Sequence, residues 1–439
     1  MKIHIGRLLA LCVLLSPAAA AERISLGQAI ADGLRMNPTY QNRTLDRESA
    51  DRRRERSAKD RRFRLDAQAG YLYKSDTMRI ETPGVTIPGV GTVPGNSIEA
   101  GLHHNFDINL RLSQPIYTGG VLTLSTELEA VGQAIAANRE ELERNDIAGR
   151  IKISYFEHSR LLKQYETLST LSRTLDLHEA RLVRLVAEGM ARKTDLLETR
   201  SRIEETRIAL NDVDNAVQRE KIHFQTLCGH DPEEIEPDYR ESGLDMENSL
   251  ARFREQHPVI RSLNNRIRGV EIRERILSGR FKPQVRAFAE AHYGKPGLDY
   301  FKKEWSAYLQ GGIQIDWALF DWNKRKEDRA LLHIETRQLE NQREQYIQDI
   351  TESTRQLYSS LDSLKKRLDH TDRLLEYSTE DSRLKSELYA EKQIPNIDYL
   401  TALENRNNHR IQMDEIRIRI EQVKVRINTL IGRTKEDPS

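Results

Sequence analysis

Residues 104–120 read HNFDINLRLSQPIYTGG. Within them Phe106, Ile108, Leu110 and Leu112 alternate with Asp107, Asn109, Arg111 and Ser113. A period of two puts every second side chain on one face, so the segment reads as a strand with one apolar and one polar face. Farther along, Trp305, Ala307, Leu309, Ile313, Ile315 and Trp317 alternate in the same way against Ser306, Gln310, Gln314 and Asp316. Two weaker strand candidates precede these, Leu65, Ala67, Ala69 and Tyr71, and Pro283, Val285, Ala287 and Ala289. Each segment runs about ten residues, the length a tilted strand needs to cross a bilayer. Alternation by itself leaves open whether the apolar face meets lipid or a second sheet. Four strands cannot close a barrel, because single-chain barrels begin at about eight, so a membrane reading requires several copies.

The two strong strands belong to an internal repeat. Ile116-Tyr117 and Leu319-Phe320 lie 203 residues apart, as do Ala187-Glu188 and Ala390-Glu391, Asp195 and Asp398, and Thr226-Leu227-Cys228-Gly229 and Thr429-Leu430-Ile431-Gly432. Upstream, Asn37-Pro38 matches His257-Pro258 at an offset of 220, and Arg62-Phe63 matches Arg280-Phe281 at 218. The first half thus carries about 15 extra residues, assigned to a loop over Pro83–Gly101, where Pro83-Gly84, Pro88-Gly89 and Pro94-Gly95 recur as turn signals.

Each half then gives the same order of elements. The first repeat, 22–236, has strands at about 64–74 and 105–116, a long helix at about 118–186 and a return helix at about 194–228. The second, 237–432, has strands at about 283–293 and 305–318, a long helix at about 321–389 and a return helix at about 397–431, followed by a tail, 433–439. A helix of roughly 68 residues is about 100 Å long at 1.5 Å per residue and needs partners along its whole length. Heptads supply the seam: Leu161, Leu168, Leu175 and Leu182, then Leu196, Ile203, Leu210, Val217 and Phe224, and in the second half Met413, Ile420 and Ile427 with Ile416, Val423 and Leu430. The fold class is therefore mainly α, with long antiparallel coiled-coil helices and four strands per chain.

Composition narrows the function. Lys2 and Arg7, the apolar run Leu8–Leu15 and Ala18–Ala21 read as a signal peptide over 1–21. Beyond it no apolar window of about 18 residues exists, so any membrane entry is as a barrel. Cys12 follows Leu11, not the small residue that lipid attachment needs, and Cys228 is left as a lone, packed thiol with no internal disulfide. The chain has 69 basic and 68 acidic residues; loss of Lys2 and Arg7 leaves 67 against 68, which gives no bulk case for nucleic acid. No phosphate loop, nucleophile elbow or HExxH element occurs, so catalytic residues, cofactors and metals are not expected.

The chain resembles the TolC-like outer-membrane efflux proteins over essentially its whole mature length. The resemblance rests on Ser25-Leu26 with Ala29, Leu34 and Asn37-Pro38, on Gln114–Gly120, and on their counterparts Leu250-Ala251 with His257-Pro258, Phe281-Lys282-Pro283 and Leu319-Phe320-Asp321-Trp322-Asn323. Two departures are Leu65, where the family usually opens its first strand with proline, and Trp322-Asn323, which replace paired glycines.

What the resemblance implies is a homotrimer in the outer membrane, its lipid-facing barrel of twelve strands continued by a helical tunnel in the periplasm. It implies passive conduction, with energy from an inner-membrane transporter and coupling through a periplasmic adaptor, as in tripartite efflux or type I secretion. The turns between long and return helices are expected to form the periplasmic tip and to dock the adaptor, through Glu188, Gly189 and Met190 in the first half and Lys392, Gln393 and Ile394 in the second. Asp195, Tyr389 and Asp398 match positions associated with tip closure or the pore constriction. A threefold ring of carboxylates would favour cations there. Thr401 stands where a second acidic position is sometimes found, and Asp195 and Asp398 also suit a plain N-cap role.

Two other features invite a reading. The basic run Arg52-Arg53-Arg54, Arg56, Lys59, Arg61, Arg62 and Arg64, interleaved with Asp51, Glu55 and Asp60, reads first as a solvated helix face, and its place before the first strand also suits lipid headgroups or a lumen. His103-His104 reads as an exposed loop pair without the partners of a zinc site. The competing functions are an exported periplasmic coiled-coil adaptor and a structural coiled coil. The first would have one helical hairpin between non-helical halves; the second would not need amphipathic strands.

Overall fold

A computed structural model describes residues 23–236, 239–243 and 245–433. The expected signal peptide and nearly all of the tail lie outside the described residues. The chain divides into two compact units, each built from both halves of the sequence. One takes the chain up to Thr44, Glu140–Pro258 and the chain from Tyr346; the other takes Leu45–Arg139 and Val259–Gln345.

The first unit is helical. Helix α1 (Leu26–Met36) starts at Ser25, whose side chain accepts a hydrogen bond from the Gln28 backbone N–H at 3.2 Å. It packs Leu26 and Ala29 into a core with Ile147, Ile151, Tyr155 and Phe156 of the long helix α3 (Val121–Ala187) and with Phe224 and Cys228 of the return helix α4 (Lys193–Cys228). Val425, from the second return helix α8 (Asn396–Leu430), completes it. Lower on the same helices the heptad residues do the packing: Leu161 and Leu168 meet Val213 and Val217, and Leu171, Leu175 and Ile203 meet Leu400 and Leu403. On the other side Leu361 and Leu364 of the second long helix α7 (Lys324–Ala390) meet Ile416, Ile420, Val423 and Ile427. Burying each such side chain contributes roughly 1.5–3 kcal/mol, and this, spread along the seam, supports helices of 67 residues.

The second unit holds the strands and α2 (Pro38–Lys59) from Leu45 on, with α6 (Pro258–Arg280) from Val259 on. Strands β1 (Arg64–Tyr73), β6 (His104–Tyr117), β7 (Gln284–Lys295) and β8 (Ser306–Asp316) form one antiparallel sheet in the order β1-β6-β7-β8. Register aligns like with like: Leu65, Ala67, Ala69 and Tyr71 oppose Leu112, Leu110, Ile108 and Phe106. Across the next ladders Leu110 opposes Ala291, which opposes Leu309.

Three sequence expectations are corrected here. Pro83–Gly101 is not a plain loop: β2 (Met78–Glu81) pairs with β5 (Ser97–Ala100) and β3 (Val85–Ile87) with β4 (Gly91–Val93). The short runs Met78–Glu81 and Ser97–Ala100 were too brief for periodicity to register, and the proline-glycine pairs between them marked only the bends. His104 is not in a loop but opens β6, with its Nδ1 2.8 Å from the Tyr71 hydroxyl. The long helices begin at Val121 and Lys324, three residues later than expected, because left-handed residues precede both.

Those left-handed residues match across the repeat. Gly119 and Gly120 have φ of 61° and 85°, and their second-half counterparts Trp322 and Asn323 have 55° and 61°. Gly119 cannot be anything else, since a Cβ there would lie 2.2 Å from the Gly279 carbonyl oxygen. Trp322 is 87% exposed and meets no such wall, so the same turn is made by a side-chain-bearing residue at a backbone cost of about 1–2 kcal/mol.

Candidate functional site

The sheet has two chemically opposite faces. On one, Leu65, Tyr71, Ile108, Leu110, Leu309, Ile313 and Ile315 are all exposed, with small residues between them. At one end this face carries a row of aromatic rings: Tyr71 and Phe106 at 5.1 Å between centroids, Phe106 and Trp305 at 5.8 Å, Tyr293 stacked on Trp305 at 5.1 Å. At the other end of β8, Trp317 donates its indole N–H to the Phe281 carbonyl at 3.1 Å, and Phe320 packs edge-on against Trp322 at 5.0 Å. A ten-residue strand such as β1 is about 34 Å long. Tilted by about 45°, a strand of that length covers an apolar band about 25 Å high.

The opposite face is a polar network running across the strands. Arg111 pairs with Glu290 at 2.8 Å, His292 contacts Asp107 at 3.1 Å and Glu290 at 3.3 Å, and Tyr308 stacks flat on His292 at 4.7 Å. A contiguous exposed apolar face marks a surface that meets lipid or another protein. Among the described residues the outer edges of β1 and β8 have no strand partner.

The helix turns singled out by the sequence are built alike. In the first, the Gly189 N–H donates to the Val186 carbonyl at 3.1 Å and the Met190 N–H to the Leu185 carbonyl at 2.7 Å. In the second, Lys392 N–H donates to Tyr389 at 3.0 Å and Gln393 N–H to Leu388 at 2.9 Å. Both are Schellman closures, which require a left-handed residue just past the helix. Gly189 supplies it at φ 71° and Lys392 at φ 62°. Glu188, Gly189, Met190, Lys392 and Gln393 are exposed and Ile394 is half-buried.

Asp195 and Asp398 both sit at the third position of their helices, not at the N-cap, which is Arg192 in one and Pro395 in the other. The Asp195 carboxylate reaches back to accept the Arg192 backbone N–H at 3.4 Å. Asp398 is exposed, and its carboxylate has no hydrogen-bond or ion-pair partner among the described residues. Tyr389 is half-buried, stacked on Tyr399 at 5.6 Å with an interplanar angle of 11°, and burial, with Asp195 nearby, pushes its phenol up.

Behind these residues lies a buried polar hub that sequence reasoning missed. His178 of α3 meets Asn396 of α8 at 2.8 Å, and the Asn396 amide N–H donates to the Asp195 carbonyl at 3.1 Å and to the Thr199 hydroxyl at 3.2 Å. Tyr389 and Tyr399 pack edge-on against the His178 ring at 5.3 and 5.1 Å. The hub therefore ties the ends of all four long and return helices together. Nothing in the sequence marked it except that His178 is a polar residue three positions after Leu175 on the heptad stripe.

The family and structure comparisons agree with this architecture. Residues 252–433 match the family model of the outer membrane efflux proteins. No curated protein matches in sequence. Among solved structures, CusC, described in connection with transmembrane channel formation, aligns with a TM-score of 0.73 at 15% identity, covering 94% of each chain. The outer membrane protein VceC of Vibrio cholerae aligns with 0.72 at 15%, covering 93% of this chain and 96% of VceC. The open state of the MtrE outer membrane channel of Neisseria gonorrhoeae gives 0.71 at 15%, covering 95% and 92%. At these identities the likeness establishes a shared fold: the mainly helical, four-stranded architecture of the outer-membrane channels. The resemblance read from the sequence holds in the family model for the second half and in the fold for nearly the whole chain.

Proposed function

We propose that three copies of this chain close one twelve-stranded barrel in the outer membrane and that the assembly is a passive efflux channel. The observation that carries the reading is the sheet, with its exposed apolar face and aromatic ends, its polar opposite face and its two open edges. In a bilayer every backbone donor must be paired, so a four-stranded sheet with free edges is stable there only when neighbouring copies pair β8 to β1. The apolar face then meets lipid and the Arg111, Glu290 and His292 network lines the lumen. The helices extend into the periplasm. A periplasmic adaptor docks on the exposed turns Glu188–Met190 and Lys392–Ile394, and an inner-membrane transporter supplies energy, either as a tripartite efflux pump or as a type I secretion system.

Within this reading Asp398 is the residue with a carboxylate free to face a pore at the closed tip. Asp195 lies at the matching position but spends one oxygen on the start of its helix, and Tyr389 acts in closure by packing against His178 and Tyr399. The test is single-channel recording of the detergent-purified mature protein in planar bilayers, wild type against Asp398→Ala. Discrete conductance whose size or cation preference changes in the variant supports both channel and constriction. A conductance that the variant leaves unchanged removes Asp398 from the constriction, and a verified inserted trimer without conductance overturns the channel.

A further inference from the structure

The end of α2 and the polar face of the sheet together form a concavity of about 650 Å³, lined by Arg56, Lys59, Arg62, Arg64, Arg111 and Arg286. Its acidic lining residues are Asp60 and Asp66. Two of the six cations are already neutralised, Arg64 by Asp66 at 2.7 Å and Arg111 by Glu290 at 2.8 Å. Arg56, Lys59, Arg62 and Arg286 have no ion-pair partner among the described residues, and all four are exposed. Four unpaired cations around one basin repel each other, and an anion seated among them relieves that repulsion.

The floor of the basin shows which way it faces. Arg64, Asp66 and Gln68 of β1 alternate with Leu65 and Ala67, and they oppose Ser113, Arg111 and Asn109 of β6. Arg286 lies opposite Pro115 on one side and Gln314 on the other. All are on the polar face, away from Leu65, Leu110 and Leu309. A lipid headgroup would have to come from the apolar side.

We propose that this basin is a binding site for phosphate- or carboxylate-bearing solutes on the lumen side of the barrel, and so that the channel favours anionic cargo at this level. The inference rests on the channel reading for its place in the lumen, but the binding itself does not. Guanidinium groups suit it, since their planar donor pairs match the oxygens of phosphate and carboxylate. A neighbouring copy pairing its β8 along β1 would bring acidic groups of its own, Asp316 among them, and the alternative is that these fill the basin instead.

The experiment is calorimetric titration of inorganic pyrophosphate into the detergent-purified trimer, wild type against Arg56→Gln/Lys59→Gln/Arg62→Gln/Arg286→Gln, with Arg56→Lys/Arg62→Lys/Arg286→Lys as the charge-preserving control. The expected result is binding that weakens as salt rises, drops at least about tenfold in the glutamine variant and persists in the lysine variant. Absence of binding to a wild-type trimer, or equal binding by the glutamine variant, overturns the proposal. Anionic phospholipid that co-purifies with the wild type and is lost in the glutamine variant, with no pyrophosphate binding, overturns it in favour of a lipid site. Conductance recorded on the same preparation tests the channel reading separately: a silent protein that still binds pyrophosphate through these residues keeps the site and loses the channel.

Discussion

His178 and Asn396, 218 positions apart in sequence, share a buried hydrogen bond of 2.8 Å near the ends of the helices joined by the two matching turns. The Asn396 amide N–H group is already committed to the Asp195 carbonyl and the Thr199 hydroxyl. Its oxygen is therefore the acceptor, and His178 holds its proton on Nε2.

That geometry sets a pH dependence. Burial depresses His178 below its ordinary 6.5, against the opposing effect of the Asn396 hydrogen bond, with cationic Arg181 adding to the depression. A neutral histidine in the folded state contributes stability that is complete above the unfolded value, and that is lost as pH falls from about 6.5 through the depressed folded value. This end of the helices is expected to loosen in mild acid, seen as a thermal midpoint falling below pH 6.5. His178→Gln should flatten that fall, leaving the part due to His158, which burial also depresses. An unchanged profile in His178→Gln would remove the hub from the account.

Asn396→Ala should be worse than its size suggests. It leaves the His178 N–H without an acceptor and takes a donor from the Asp195 carbonyl, at a cost of about 1–3 kcal/mol by denaturant midpoint. A loss below the precision of the titration would show that water takes over the site.

Lys392→Gly is expected to stabilise the protein. Lys392 holds φ at 62° only to close the second turn, a conformation that costs a side-chain-bearing residue about 1–2 kcal/mol. The reciprocal Gly189→Lys should lose a similar amount, and purely through the backbone, because a Cβ at Gly189 has no atom within 4 Å. Both are read from the chemical denaturation midpoint, and a stabilised Gly189→Lys would contradict the argument.

The paired glycines before α3 separate two causes. Gly119→Ala adds a clash with the Gly279 carbonyl to the left-handed penalty, and the two together come to roughly 2–5 kcal/mol. Gly120→Ala meets nothing within 4 Å and should lose only the backbone part, about 1–2 kcal/mol. Equal losses in the two variants would mean that the close approach to α6 is relieved at little cost.

The two sheet faces should respond oppositely to charge. In the proposed trimeric barrel, Leu309→Arg places a guanidinium mid-strand on the lipid-facing side, at a cost of about 2–4 kcal/mol, and is expected to reduce the fraction of trimer recovered from membranes. Gln310→Arg, one residue on, points to the polar face and should assemble normally. Equal recovery of both would place the apolar face somewhere other than against lipid.

Much of this architecture was legible because it is periodic. Leu161, Leu168, Leu175 and Leu182 repeat every seven residues, and all four are buried. The alternation at Phe106–Ser113 needs only neighbouring residues to show that β6 has two faces, and the offset of 203 puts the two turns at matching places in the two halves. The turn at Trp322-Asn323 could be matched to Gly119-Gly120 by position, though its left-handed backbone could not be foreseen from a tryptophan.

Local pattern fixes which side of a helix or strand is apolar, because that depends on spacing along one segment, and so the class of the fold, its repeat and its turns were decided by the sequence. Which buried polar groups satisfy each other depends on contacts between segments far apart in the chain, and no spacing encodes that. Only the tertiary structure joined His178 to Asn396, showed that at the third helical position Asp195 caps its helix while Asp398 does not, and set the end of the basic run, Arg56, Lys59, Arg62 and Arg64, as the wall of a basin whose floor is the polar side of the sheet, while Arg52 keeps the ion pairs of a solvated helix face. Burial and pairing are properties of the assembled elements, and those elements meet only when the chain has folded.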